Sequence, residues 1–263
     1  MRYAKIFLLH FQNLLEHRSR PLVWFLTGVI DPLILLLYWK GAYVDQQIIA
    51  GWSFEQIVSY YIFLLVLSPL LLVHIEEDIA KIDIQKGELV KYIVRPFSYF
   101  WFKFFEEIPY RLLEGIYGII FCLLFLLLGN ILIISNKIEV VLLSIIVIIL
   151  AYMISYIFKM ILGLLAFWVT DISGLLQFME VVVLIFAGFV VPLSLLPEGL
   201  SKIAQVLPFA YMMYFPVIAL QGQLSHAELL HVISMQVMWL FCLYFLYRFL
   251  WSKGIRAFTA VGQ

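Results

Sequence analysis

EEDIAKIDIQKGELVKYIVRPFSYFWFKFFEEIPYR, residues 76–111, is the long charged stretch in a chain that is otherwise almost continuously apolar. It holds Lys81, Lys86, Lys91, Arg95, Lys103 and Arg111 against Glu76, Glu77, Asp78, Asp83, Glu88, Glu106 and Glu107, so 13 of the 34 charged residues fall within 36 positions. A charge left uncompensated at a bilayer centre costs at least about 2.5–3.5 kcal/mol. The stretch is therefore expected to live in water or against another protein, between apolar spans on either side.

Those flanks settle the fold class. Hydrophobic residues make up 65% of the 263 and charged residues 13%, with mean hydropathy +1.04. Apolar runs of roughly 20 residues recur along the whole chain, which predicts an all-α integral membrane protein forming a single transmembrane domain over 1–263. Segments of about 10 residues alternating in polarity, the sign of a β-barrel, do not occur.

The N-terminal residues 1–20 put Phe7, Leu8, Phe11 and Leu15 on one helical face and Lys5, Gln12, Asn13 and Glu16 mostly on the other, as in a helix lying in the membrane interface. With no uninterrupted apolar core or small-residue cleavage site, they do not read as a removable signal peptide. Six spans are then expected, at about 21–43, 54–74, 108–128, 138–169, 174–191 and 227–249, with a connector over 76–107 and a tail over 250–263. Residues 192–223 carry Pro192, Pro197, Pro208 and Pro216 and read as a broken hairpin of short helices on the outer side. Both termini then share a side with the connector. That side collects 13 basic residues, among them Lys5, Arg18, Arg248, Lys253 and Arg256, against three opposite, Lys40, Lys137 and Lys202. By the positive-inside rule it is cytoplasmic.

No motif of a catalytic or metal centre is present. The chain has no Gly-Lys pair from which to build a phosphate-binding loop, no His-Glu-x-x-His, no Gly-x-Ser-x-Gly and no Cys-x-x-Cys. It is not expected to be an enzyme, to bind a cofactor or metal, or, with zero net charge and no dense basic tract, to bind nucleic acid. The histidines at 10, 17, 74, 226 and 231 fall near predicted membrane edges, and Cys122 and Cys242 lie in separate apolar runs as packing residues.

Ionisable residues within spans are the functional candidates. Asp31 lies about 15 Å into the first span at 1.5 Å per residue, and Glu114, Lys159 and Glu180 fall in the inner halves of spans three to five. Lys159 either pairs with one of those glutamates, holding helices in register, or snorkels to the surface. Alternatively, Asp31 or Glu180 lines a route for a polar or cationic substrate. Within the connector, Gly87-Glu88-Leu89-Val90-Lys91-Tyr92-Ile93-Val94-Arg95-Pro96 reads as a short amphipathic helix with Leu89, Tyr92 and Ile93 on one face and Pro96 at its end.

The ordered set resembles the membrane subunits of ABC-2 type exporters. The stretches similar to one bacterial subgroup are Phe11-Gln12 through Arg18-Ser19-Arg20, Lys86-Gly87-Glu88-Leu89 through Arg95-Pro96, Leu196-Pro197-Glu198-Gly199-Leu200 through Leu207-Pro208-Phe209-Ala210-Tyr211, and Lys253-Gly254-Ile255-Arg256. The resemblance implies a permease of the bacterial inner membrane that works with a second permease chain, identical or related, and two separate ATPase subunits, which would bind ATP and Mg. Lys86, Gly87, Glu88, Leu89, Lys91, Tyr92, Ile93, Arg95 and Pro96 would form the coupling helix. Pro197, Leu207, Pro208, Phe209 and Tyr211 would belong to an outer gate, and Phe178, Glu180, Val181 and Ile185, with Asp31, would face the substrate. The midplane Asp31 has no place in the family pattern. An ion-coupled carrier and an intramembrane lipid-modifying enzyme are the alternatives. The first predicts repeated broken spans, whereas the broken hairpin occurs once; the second predicts acidic pairs at metal spacing, for which Glu76-Glu77-Asp78 is too compact.

Overall fold

Apolar runs that cannot leave their backbone unpaired in hydrocarbon fold as helices, and helices dominate the chain. The computed structural model describes residues 2–16, 19–127 and 132–258; His17, Arg18, Leu128 and Gly129 lie outside them. Helix α1 (Arg2–Glu16) leads into α2 (Ser19–Ala42), then α3 (Phe54–Leu71), a π-helix (Asp78–Gln85), α4 (Val90–Ile93), α5 (Tyr99–Leu127) and α6 (Ile138–Leu164). The second half runs through α7 (Ser173–Phe186), α8 (Glu198–Val206), α9 (Pro208–Met212), α10 (Tyr214–Leu220) and α11 (His226–Ala257). Capping boxes start two of these helices: Ser53 with Gln56 opens α3, and Ser225 with Glu228 opens α11.

Helices α2, α3, α5, α6 and α11 are each long and apolar enough to cross a bilayer. Helix α7 is not. Its 14 residues rise about 21 Å, short of the roughly 30 Å of hydrocarbon, so the fifth of the expected spans is a shorter helix than the run 174–191 suggested. The cause is Gly188, at φ +85°, which turns the chain where an α-helix would continue. Helix α5 departs the other way and begins at Tyr99, well before the expected Ile108. Its added turns carry Phe100, Trp101, Phe104 and Phe105, and Phe100 and Phe104 both meet Tyr156 of α6 edge-on.

The core is built on α6. It packs along α11, while α3 packs along α5 and α2 lies on both. Closeness between α3 and α5 depends on Gly118, where a Cβ would stand 3.0 Å from the Val66 Cα. Helix α1 runs along α5, its Tyr3 ring stacked on Phe105 at 5.4 Å.

Residues 192–223, expected as a broken hairpin of two short helices, fold as a 3-10 turn followed by three short helices, α8, α9 and α10. Leu207, with extended dihedrals, precedes Pro208 at the first turn of α9, where proline needs no backbone donor. Pro208, Phe209, Tyr211 and Met212 are buried, and the Phe209 ring meets Phe158 of α6 edge-on at 5.3 Å. Pro197 is exposed and Leu207 half-buried. A feature with no sequence expectation is the antiparallel pair Ile48–Ile49 and Trp52–Ser53, turned through Ala50 and Gly51, both at positive φ. Trp52 Nε1 donates to Ser194 Oγ at 2.9 Å, joining this turn to the hairpin.

Buried tyrosines of α3 fasten the same end. The Tyr60 hydroxyl donates to the Gly188 carbonyl at 2.7 Å and the Tyr61 hydroxyl to that of Val190 at 2.6 Å, while Trp39 Nε1 donates to Tyr61. A Cβ on Gly188 would stand 2.6 Å from the Tyr60 oxygen. Gly188→Ala is accordingly expected to destabilise the folded protein by about 2–3 kcal/mol, read as a lowered melting temperature in detergent, with Gly199→Ala, whose Cβ meets nothing within 4 Å, close to neutral.

Candidate functional site

The connector between α3 and α5 is a folded unit, and four of the 13 charges of residues 76–111 are turned inward. Glu76, Asp83, Lys103 and Arg111 are buried, which corrects the expectation that the stretch as a whole faces water or another protein. Burial at this level demands partners, and each has them. Lys103 Nζ lies 3.0 Å from Asp83 Oδ2 and 3.1 Å from Glu106 Oε2, and 5.1 Å from the centre of the Tyr92 ring. The Tyr99 hydroxyl donates to the same Asp83 oxygen at 2.6 Å. Burial pushes the Asp83 carboxyl above its ordinary range, and Lys103 and the Tyr99 hydroxyl work in the opposite direction.

Arg111 closes the end of α3. Its Nη1 donates to the carbonyls of Leu72 at 2.8 Å and Pro69 at 3.2 Å, which the helix end leaves without intrahelical partners. The same guanidinium holds Glu107 Oε1 at 2.7 Å and Glu114 Oε2 at 2.9 Å. Lys159 of α6 is ion-paired with Glu76, in the turn after α3.

These pairs correct the expected ones. Lys159 contacts neither Glu114 nor Glu180 as an ion pair: Glu76 is brought to it by the turn after α3, Glu114 belongs to Arg111 on its own helix, and Glu180 is exposed on α7. Two of the contacts were readable as i,i+3 and i,i+4 spacings around Arg111. The Glu76–Lys159 and Asp83–Lys103 pairs join elements distant in sequence, and no local spacing announces them.

Backbone geometry then presents the short helix. After the π-helix, Gly87 at φ +77° turns the chain, and the Leu89 amide donates to the Asp83 carbonyl at 2.7 Å. Gln85 Nε2 donates to the Thr170 carbonyl at 2.7 Å, tying the unit to the α6–α7 turn. Close approach to α6 rests on Gly163, where a Cβ would stand 2.7 Å from that of Ile79. Of the expected stripe, Leu89 is fully buried and Tyr92 half-buried against Tyr99 and Phe102, leaving Ile93 exposed. The outward surface consists of Lys86, Lys91, Ile93, Val94, Arg95 and Pro96. Glu88 is held below the ordinary carboxylate range by its hydrogen bond to Lys91, at 2.8 Å. The outward tip is thus basic and apolar on a base locked by buried ion pairs.

A sequence profile described as ABC-2 family transporter protein matches residues 29–262. The chain belongs to the ABC-2 transporter family. A comparison with curated proteins finds no match. An ABC-2 membrane subunit is a multi-pass transport component, in keeping with the five long apolar helices.

The remaining candidates of this ABC-2 permease are spread over its surface. Phe178, Val181 and Ile185 are exposed on α7 beside Glu180. Asp31 is exposed on α2, next to Pro32 inside that helix. Helix α2 packs on α3 and α5, and α7 on α9.

Removing one partner of a buried pair leaves the other charge uncompensated. Lys159→Met is expected to destabilise the permease by about 3–5 kcal/mol, and Lys159→Met with Glu76→Gln to recover most of that loss. Thermal unfolding of the single and double variants in detergent checks the coupling; equal melting temperatures for both would show that the pair does not act as one.

Proposed function

We propose that this chain is the permease half of an ATP-driven exporter, and that the 86–96 segment is where a separate ATPase subunit seats. The observation that carries the reading is the tip formed by Ile93 and Val94, 47% and 74% exposed, ringed by Lys86, Lys91 and Arg95. An apolar patch rimmed by charge is a docking surface in composition. Its base, bonded through Asp83, Tyr99 and Lys103 to α5 and through Gln85 to the turn before α7, is suited to passing a displacement to the spans.

In this scheme the ATPases hold ATP and Mg, and two permease chains, identical or related, enclose the route. ATP moves the equilibrium between inward-facing and outward-facing arrangements only through its differential affinity for the two. The exposed apolar face of α7 with Glu180, and Asp31 on α2, would line the route or the contact with the second chain. The buried hairpin around Pro208, Phe209 and Tyr211, strapped by Tyr60 and Tyr61, would be the outer gate, with Pro197 and Leu207 at its margin. Both termini lie in the cytoplasm of the cell whose inner membrane holds the protein, as the 13 to 3 division of basic residues supports.

Ile93→Asp with Val94→Asp is expected to cut recovery of the ATPase in detergent co-purification by about tenfold or more, leaving the permease folded. Leu89→Asp, at a buried site, is expected to lower its melting temperature instead. An ATPase recovered equally with the Ile93, Val94 double variant and with wild type would remove the docking assignment.

A further inference from the structure

At the connector end of the bundle, α5 and α11 part to leave a cleft of about 280 Å³. Eight of its twelve lining residues are aromatic, among them Phe100 and Trp101 from α5 and Tyr244, Tyr247 and Trp251 from α11, and Arg248 is the one charged residue in the lining. Tyr247 and Trp251 are stacked, and Trp251 is stacked again on Tyr99 at 4.9 Å, so that wall is rigid. Arg248 is exposed and makes no ion pair among the described residues.

Position decides the occupant. Beside the rim α11 carries an exposed apolar strip of Phe241, Phe245 and Phe249, as a helix facing lipid would. From Arg248, at the end of that strip, α11 turns basic with Lys253 and Arg256, which puts Arg248 at the boundary between hydrocarbon and water, where aromatic residues also collect. A molecule filling the cleft from the side needs an apolar body against the rings and an anionic group on a guanidinium that presents planar, forked donors. A quaternary ammonium headgroup could use the rings, but Arg248 repels it.

We propose that this cleft binds an anionic phospholipid of the leaflet on the connector side, its phosphate on Arg248 and its glycerol and upper chain against Trp101 and Tyr244. Tyr92 and Ile93 line the same cleft, so a bound lipid also braces the short helix from behind. That bracing rests on the docking reading above. Binding itself does not, and the permease chain alone reports it.

The test is native mass spectrometry of the intact chain released from nanodiscs holding phosphatidylglycerol and phosphatidylcholine together. Wild type is expected to retain phosphatidylglycerol preferentially, Arg248→Gln to lose about fivefold of that preference, as removal of one basic group at an anionic surface implies, and Arg248→Lys to keep most of it. Tyr244→Ala, which opens the wall and leaves the charge, is expected to reduce retention of the lipid. Should Arg248→Gln keep the wild-type ratio, or phosphatidylcholine be retained equally, the site is overturned. Displacement of the lipid by millimolar inorganic phosphate, with no loss in Tyr244→Ala, would overturn the lipid in favour of a free phosphate ion. Far-ultraviolet circular dichroism of each variant shows that it is folded. Outright failure of Arg248→Gln to fold leaves the decision with Arg248→Lys and Tyr244→Ala.

Discussion

A basic side chain in a low-dielectric setting needs a carboxylate or several carbonyls within reach, and Lys103, Arg111 and Lys159 stand where α5 and α6 meet the connector. Each is answered from a different part of the chain: Asp83 from the π-helix, the Pro69 and Leu72 carbonyls from the end of α3, Glu76 from the turn after it. Three helices and the connector are therefore registered against one another by charge, and apolar packing alone would not supply that register. Apolar side chains tolerate sliding by a fraction of a turn. A carboxylate set 3.0 Å from an ammonium does not.

The opposite end solves a different problem with hydroxyls. Where α7 stops short and the backbone of residues 187–195 runs irregularly, the Tyr60 and Tyr61 hydroxyls and Trp52 Nε1 reach carbonyls or a side-chain oxygen of that segment. Irregular backbone within hydrocarbon survives only when protein covers it. The charged end is thus rigid by ion pairing and the hairpin end by single hydrogen bonds, each worth about 0.5–1.5 kcal/mol net.

Much of the architecture was legible in the sequence because apolar run length reports directly on spanning helices, and the prolines at 192, 197, 208 and 216 report on the broken hairpin. The alignment of Leu89, Tyr92 and Ile93 was also legible, but periodicity cannot tell an inward stripe from an outward one. Leu89 turned in, and the outward apolar residues are Ile93 and Val94. The inward turn of the charges was hidden because Glu76 and Lys159, 83 positions apart, meet only through the tertiary fold. The short α7 was hidden for a related reason, since hydropathy does not register the positive φ of Gly188.

Gln236 lies fully buried on α11, and its Nε2 donates to the Val147 carbonyl of α6 at 3.0 Å and to the Tyr211 carbonyl of α9 at 3.1 Å. These three residues come from segments made at different times, and the donor is made last. During synthesis α9 and α10 emerge with their broken backbone before α11 exists to cover it. The two hydrogen bonds of Gln236 therefore complete the joint between α6 and α9 only once α11 has been made.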